Sequence, residues 1–230
     1  MIRLFVEEDL EQGRDVPLSP DQIHYLFHVM RKAEGDSVQL FNGKDGEWLA
    51  EITTLSKKAG IVKPEKQTRP QRQEADVWLL FSPLKQARQD FLVEKATELG
   101  VSALLPIKCA RTNVGRVNLQ RMQKITIEAA EQSERLTLPT IQPLESLDKV
   151  LSRWDSNRKL LFCAERADAG HIQHSSGPTA ILIGPEGGFT RQEVQLVQAY
   201  DFVQQVSLGQ NILRAETAAI AALSCSMCGK

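Results

Sequence analysis

Apolar positions recur along this chain in two rhythms, and the change from one to the other falls near residue 70. Before it, Ser37-Val38-Gln39-Leu40-Phe41, Glu47-Trp48-Leu49-Ala50-Glu51-Ile52 and Gly60-Ile61-Val62 are short, strand-like runs, of the kind that strands half buried on one face produce. Asn42-Gly43 and Asp45-Gly46 stand between the first two as turn residues. One helix is predicted at about residues 20–32, with Ser19 as N-cap and Ile23, Leu26, Phe27 and Met30 at spacings of three and four. These elements make a small β-rich barrel or sheet. The stretch Pro64-Glu65-Lys66-Gln67-Thr68-Arg69-Pro70-Gln71-Arg72-Gln73-Glu74 has no apolar side chain except two prolines and reads as a linker.

Beyond it, strands and helices alternate. Apolar runs at 77–81, 103–107, 160–164, 179–183 and 202–208 predict strands, and helical patterns at 89–99, 118–134, 144–153, 191–200 and 215–227 fall between and after them. Such alternation is the mark of an α/β domain with a parallel sheet covered on both faces. Gly100 is placed to close the first of these helices in the left-handed conformation. The division expected is a β-rich domain at 1–70 and an α/β domain at 75–230.

Composition narrows the class without naming a function. The 230 residues are 42% apolar and 25% charged, which excludes disorder, a collagen-like fibre and a small disulfide scaffold. No apolar run approaches the roughly 18 to 20 residues of a bilayer crossing, and Met1-Ile2-Arg3-Leu4-Phe5 leads into acids at 7–9 rather than into a signal-peptide core. A soluble cytoplasmic protein is expected, with Cys109, Cys163, Cys225 and Cys228 kept as thiols. The net charge of -1 argues against holding nucleic acid by bulk charge. Residues 85–124, however, hold eight Lys and Arg against three acids, which is either a solvated helix face or a local surface for a polyanion.

Two segments concentrate the candidate chemistry. In Ala180-Ile181-Leu182-Ile183-Gly184-Pro185-Glu186-Gly187-Gly188-Phe189-Thr190-Arg191-Gln192-Glu193 a buried strand ends in a glycine-rich loop, and Thr190 with Glu193 forms a capping box that opens the next helix. In open α/β sheets small ligands bind at such strand ends, and Gly184, Gly187 and Gly188 would let backbone approach one, unless they only make a tight turn. Neither a G-x-G-x-x-G nor a G-x-x-x-x-G-K-[ST] pattern is present, so a dehydrogenase or P-loop kinase is disfavoured. An acidic Glu186 suits a ligand with positive charge. The second segment, Val206-Ser207-Leu208-Gly209-Gln210-Asn211-Ile212-Leu213-Arg214-Ala215-Glu216-Thr217-Ala218, repeats the order strand, loop, helix. Its Arg214 stands against the helix dipole, so it either serves a substrate or pairs with Glu216 or another carboxylate.

Other features have bland readings. Cys225-x-x-Cys228 lacks the second pair or nearby histidine that a zinc site needs, and no metal is expected. His24 and His28 share a helix face without the glutamate of a zinc protease, and serve packing or RNA contact. His171 and His174 lie in a Gly- and Ser-rich loop with no assignable role, and Trp48, Trp78 and Trp154 are spaced as core residues.

Taken in order, Leu160-Leu161-Phe162-Cys163-Ala164-Glu165 and the two loop segments resemble the RsmE group of SPOUT RNA methyltransferases. Lys95-Ala96-Thr97-Glu98-Leu99-Gly100-Val101, Glu128-Ala129-Ala130-Glu131-Gln132-Ser133-Glu134-Arg135 and His24-Tyr25-Leu26-Phe27-His28-Val29-Met30-Arg31 with Gly35-Asp36 extend the resemblance over nearly the whole chain. It implies an N-terminal PUA-like β-barrel, a C-terminal α/β domain ending in a trefoil knot, a homodimer, and S-adenosylmethionine held in the knot. It implies cofactor contacts from Ile183, Gly184, Pro185, Glu186, Gly187 and Gly188 of the first loop. Glu165 upstream, with Leu208, Gly209, Ile212 and Leu213 of the second loop, would complete them. The implied reaction is methylation of a uridine N3 in 16S (small-subunit) rRNA, on the free RNA or the 30S subunit. The chain departs from the pattern at Ser82-Pro83-Leu84-Lys85-Gln86-Ala87-Arg88-Gln89-Asp90, where a basic, glycine-containing stretch is common, and at Arg121-Met122, where Arg-Trp is usual.

That reaction sets its own chemical demands. The N3 of uracil is a protonated imide at neutral pH, so methyl transfer needs the proton removed or the developing anion stabilised. Arg214 is the expected partner of the uracil carbonyls or a neighbouring phosphate. Glu186 is the preferred carboxylate, to take the proton or to complement the sulfonium, with Glu165 and Glu216 as competitors. N3 lies on the pairing edge, so the target must be unpaired or turned out. Arg3, Arg31, Lys85, Arg88, Arg111 and Arg135 are the expected phosphate contacts. The rival readings are a SPOUT enzyme acting on a ribose 2′-hydroxyl or another RNA, and a non-catalytic RNA-binding factor of ribosome assembly.

Overall fold

The computed structural model describes residues 1–164, 169–172 and 177–227; Glu165, His174 and Cys228 lie outside them. Two compact units result: Met1–Gln73 with Ala130–Leu138, and Glu74–Ala129 with Pro139–Lys230. The segment Ala130–Leu138 counts with the first unit, although it lies within the stretch assigned by sequence to the second domain.

The first unit is a five-stranded sheet of β1 (Arg3–Phe5), β2 (Val16–Pro17), β3 (Ser37–Phe41), β4 (Glu47–Leu55) and β5 (Gly60–Arg69), in the order β1-β3-β4-β5-β2. Only β1 and β3 run parallel; the other pairs are antiparallel. Alternate residues Val38 and Leu40, with Ala50, Ile52 and Val62, point into one core that Leu4, Val16 and Leu26 complete. The strand β5 corrects the linker reading. Its outer residues 65–68 are exposed while still paired with β4, and an exposed strand edge needs no apolar side chain.

The predicted helix begins as expected and ends differently. Helix α1 (Pro20–His24) starts at a capping box, with Ser19 Oγ accepting from the Gln22 amide at 3.2 Å and Gln22 Oε1 accepting from the Ser19 amide at 2.9 Å. From Tyr25 to Val29 the turn widens to a π-helix. Arg31 then takes the left-handed conformation at φ 52°, where glycine usually sits, and the Lys32 amide reaches back to the Leu26 carbonyl at 2.9 Å. This wide exit accommodates Leu26 fully buried in the core.

In the second unit every strand pair is parallel. The strands are β6 (Val77–Phe81), β7 (Ala103–Lys108), β8 (Thr140–Ile141), β9 (Glu145–Ser146), β10 (Lys159–Cys163), β11 (Thr179–Ile183) and β12 (Val203–Val206). Their order is β12-β10-β11-β6-β7-β8, with β9 also on β7. Helices α2 (Gln86–Glu98), α3 (Leu119–Gln132), α4 (Leu147–Ser152), α5 (Arg191–Gln198) and α6 (Ala215–Met227) connect or follow them. Leu79, Phe81, Ile181 and Ile183 pack with Leu92, Val93 and Leu223 in one cluster, while Leu80, Ala180 and Leu182 pack with Leu151 and Val197 in another. Successive residues of one strand therefore feed opposite faces, which is why these strands read as unbroken apolar runs. Gly100 closes α2 at φ 96°, as its position predicts. From β6 the sheet is extended one way by β7 and the other way by β11, so the carboxyl ends of β6 and β11 flank the point where strand order reverses. No helix among the described residues is long and apolar enough to cross a membrane.

Candidate functional site

The loop after β11 is fixed from two sides. On its far side Thr190 caps α5, with Thr190 Oγ1 accepting from the Glu193 amide at 3.2 Å and Glu193 Oε2 accepting from the Thr190 amide at 2.8 Å. The other carboxylate oxygen of Glu193 accepts from the Ala110 amide at 2.7 Å. The loop after β7 is thereby drawn against the glycine loop. Arg111 Nη1 donates to the Gly187 carbonyl at 2.7 Å, and Thr112 Oγ1 accepts from the Cys109 amide at 2.8 Å and shares a 2.7 Å hydrogen bond with Ser82 Oγ at the end of β6. Three strand ends are tied into one rim.

The glycines of this loop answer to different causes. Gly188 needs its freedom for a left-handed φ of 68°. A Cβ on Gly184 would stand 2.5 Å from the Phe189 ring, which itself packs edge-on against Phe162 at 5.0 Å. Gly184 is therefore required by an aromatic neighbour. On Gly187 a Cβ would meet only the Arg111 side chain, at 3.4 Å.

Charge gathers where α2, the β11 loop and α6 meet. Arg88 Nη1 donates to Glu186 Oε1, and Arg88 Nε lies 3.7 Å from Glu216 Oε1. Glu216 is 9% exposed, and its Oε2 is shut off from solvent without a hydrogen-bond partner. Of the alternatives for Arg214, pairing with Glu216 is not realised: Glu216 Oε1 faces Arg88 instead. Arg214 is exposed at the start of α6 and forms no ion pair among the described residues. In the second loop Gly209 turns at φ 108° with its amide on Ser207 Oγ at 3.2 Å, Leu208 and Leu213 are half-buried, and Ile212 is 58% exposed. Burial pushes the thiols of Cys109 and Cys163 up to about 12, so neither is a nucleophile at neutral pH.

The expected phosphate contacts separate into two groups. Arg31, Lys85 and Arg111 are exposed. Arg3 and Arg135 are not: they are 6% and 8% exposed. Arg3 donates to Glu47 Oε2 at 2.8 Å and to the carbonyls of Ala130 and Arg135 at 2.8 Å each, and Arg135 donates to Thr137 Oγ1 at 3.1 Å. Their guanidinium groups hold the first unit together, which corrects their assignment to RNA. Arg88 is occupied by carboxylates. The basic segment 85–124 is further neutralised by Arg121 on Asp90 and Lys95 on Glu94 and Glu98. Sequence reading missed the role of residues 109–112 as one wall of the rim. Their contacts to 187 and 193 span about eighty residues, and no local pattern announces them. Among the described residues no group of three or more His, Cys, Asp or Glu is placed to hold a metal.

Comparison with known proteins settles the family. The RNA methyltransferase domain matches residues 71–227 and the RNA methyltransferase PUA domain residues 18–65. The ribosomal RNA small subunit methyltransferase E of Rickettsia conorii is 33% identical over 96% of this chain and 93% of its own length. The chain belongs to the ribosomal RNA small subunit methyltransferase E family. Its member from Bacillus subtilis is 30% identical, covering 97% of this chain and 95% of its own. The solved structure of the Neisseria gonorrhoeae member, bound to S-adenosyl methionine, superposes with a TM-score of 0.86 at 36% identity, covering 97% of this chain and 95% of that one. Membership thus spans both units, with the PUA-like sheet in the first and the parallel α/β sheet in the second.

Proposed function

We propose that this chain transfers the methyl group of S-adenosylmethionine to N3 of a uridine in small-subunit rRNA. Methylation of small-subunit rRNA from that cofactor is the activity of the family; the uridine N3 as the atom attacked is our reading. The observation behind it is the charge arrangement where α2, the β11 loop and α6 meet: Glu186 and Glu216 share a single arginine, Arg88, and Arg214 at the start of α6 is exposed and forms no ion pair among the described residues. The residues present suit the cofactor. Glu186 and the under-donated Glu216 offer negative charge to a sulfonium or ammonium, and the backbones of residues 183–188 and 208–213 end at the strand edge where ligands of open sheets sit. Bound there, S-adenosylmethionine supplies an electrophilic methyl.

The chain's own residues do the rest. Arg214 donates to the carbonyl oxygens beside N3 and stabilises the charge that develops on the imide. Glu186 complements positive charge at the cofactor, held by Arg88. Arg31, Lys85 and Arg111 contact phosphates and fix an unpaired target without reading its sequence. The same reading includes Glu165 among the cofactor contacts, a trefoil-knotted C-terminal stretch, a homodimer, and a cytoplasmic enzyme that meets its RNA in the 30S subunit or its precursors.

Incubation with methyl-labelled S-adenosylmethionine and small subunits from cells lacking the gene, followed by nucleoside mass spectrometry, tests the reaction. Label in 3-methyluridine is expected; label in another base or in a ribose rejects it. In the same assay Arg214→Ala should reduce turnover by roughly 100-fold or more, the scale of removing one donor to a developing anion, with cofactor affinity nearly unchanged.

A further inference from the structure

Arg111 is an exposed cation on a fixed mount. The short loop that carries it is closed by Thr112 Oγ1, which accepts from the Cys109 amide at 2.8 Å and shares a 2.7 Å hydrogen bond with Ser82 Oγ at the end of β6. Glu193 Oε1, at the start of α5, accepts from the Ala110 amide at 2.7 Å. From this mount Arg111 Nη1 donates to the Gly187 carbonyl at 2.7 Å. Its aliphatic stem lies beside Gly187, where an added Cβ would meet Arg111 Cβ and Cδ at 3.4 Å each.

Two arginines thus hold the glycine loop, and they differ in what becomes of their charge. Arg88 meets the carboxylate of Glu186. Arg111 meets a main-chain carbonyl, is exposed, and forms no ion pair among the described residues. A neutral donor would satisfy that carbonyl, so the guanidinium brings a positive charge that the loop itself does not need. S-adenosylmethionine, with a sulfonium and an ammonium against one carboxylate, is a net cation, and an uncancelled positive charge on the loop that holds it opposes its binding. Arginine has five N–H donors in a planar fork. One of them on Gly187 leaves others for a phosphate, which cancels the charge without releasing the carbonyl.

We propose that Arg111 couples the two substrates: an RNA phosphate on its free donors lifts the repulsion and strengthens the hold on the charged cofactor. This inference rests on the reading above that residues 183–188 hold the cofactor and that Arg111 meets phosphate. The coupling acts on the sulfonium form alone. Methyl transfer leaves a neutral thioether, so bound RNA does not strengthen the hold on the spent cofactor. By linkage the charged cofactor strengthens RNA binding by the same factor.

The test compares two ligands that differ in charge at one position. Sinefungin carries a protonated amine where S-adenosylmethionine has its methylated sulfur, and transfers nothing; S-adenosylhomocysteine is neutral there. Equilibrium dialysis gives the affinity for each, with and without a saturating 16S rRNA transcript. The quantity read is the ratio of the sinefungin affinity to the S-adenosylhomocysteine affinity, in which any loosening of the loop common to both ligands cancels. For the wild-type chain RNA should raise this ratio by about 5-fold, the low end for coupled sites, as suits an exposed charge. Arg111→Gln, which keeps a donor without the charge, should show the raised ratio in the absence of RNA and stay level when RNA is added. Arg111→Lys, which keeps the charge, should respond as the wild type does. A wild-type ratio that RNA does not move overturns the proposal. So does an Arg111→Gln ratio that still rises with RNA, or one that equals the wild-type ratio in its absence, since an arginine that only props the loop would weaken both ligands together. Amide hydrogen exchange tests the underlying reading separately: sinefungin should protect the amides of Glu186, Gly187 and Gly188. Without that protection the cofactor reading has failed and this inference falls with it, whereas protection with an unmoved ratio rejects the coupling alone.

Discussion

At Gly184 a single methyl group decides between two explanations of a glycine loop. The added carbon would meet the Phe189 ring at 2.5 Å, and the ring cannot retreat freely because Phe162 backs it. Gly184→Ala should therefore cost about 1–3 kcal/mol, the range for overpacking a filled site, as measured by urea unfolding. Combining it with Phe189→Leu should recover part of that loss, whereas a glycine kept for ligand approach would show neither effect. Sequence made the loop legible but not the reason for this glycine, since the constraint comes from a ring placed by the fold. The same limit explains Arg3 and Arg135. An arginine letter does not say whether its guanidinium meets water or, as in Arg3, a buried carboxylate and main-chain carbonyls. Glu216 shows the converse. Its position in the first turn of a helix was readable, while its shortage of donors was not, because that depends on where Arg88 of another helix points.

Among the elements, those whose ends are written locally were the ones sequence could place. Ser19 with Gln22 and Thr190 with Glu193 begin helices as capping boxes should, and the apolar runs at 77–81 and 179–183 are β6 and β11. The outer half of β5 looked like a linker because an exposed, paired strand carries no apolar signal. The widened turn at Tyr25–Val29 has the apolar spacing of an ordinary helix, so nothing in the pattern sets it apart. Glu193 does double work that the pattern showed only in part: it completes the cap and also accepts from the Ala110 amide. Removing the cap alone with Thr190→Ala should lower stability by about 1 kcal/mol. Glu193→Ala should cost more, since it also leaves the Ala110 amide unpaired. Glu193→Gln should fall between, because glutamine serves in a capping box but loses the charge on the second bond. Urea unfolding of the three variants orders them, and equal losses for Thr190→Ala and Glu193→Ala would mean that the Ala110 bond contributes nothing.

For the whole molecule, the question is how a chain with net charge -1 binds a polyanion. Bulk attraction is absent, so affinity must come from cations that the fold leaves unspent. Many are spent: Arg3 lies on Glu47, Arg158 on Asp76, Arg121 on Asp90, Lys95 on Glu94 and Glu98. Arg31, Lys85, Arg111 and Arg214 remain exposed and meet no carboxylate among the described residues. Each phosphate neutralised on a single strand contributes a slope of about -0.7 to log K against log salt. The three assigned to phosphates, Arg31, Lys85 and Arg111, therefore predict a total slope of about -2. Arg31→Gln should make that slope shallower by about 0.7, because an exposed arginine that meets a phosphate releases a counterion. Arg3→Gln should leave the slope where it is while destabilising the fold, since a guanidinium bound to Glu47 and three main-chain carbonyls meets no phosphate and releases no counterion. A salt response near zero would reject the unspent cations as the source of affinity, and a slope that shifted with Arg3 but not with Arg31 would reject their division into structural and RNA-facing groups.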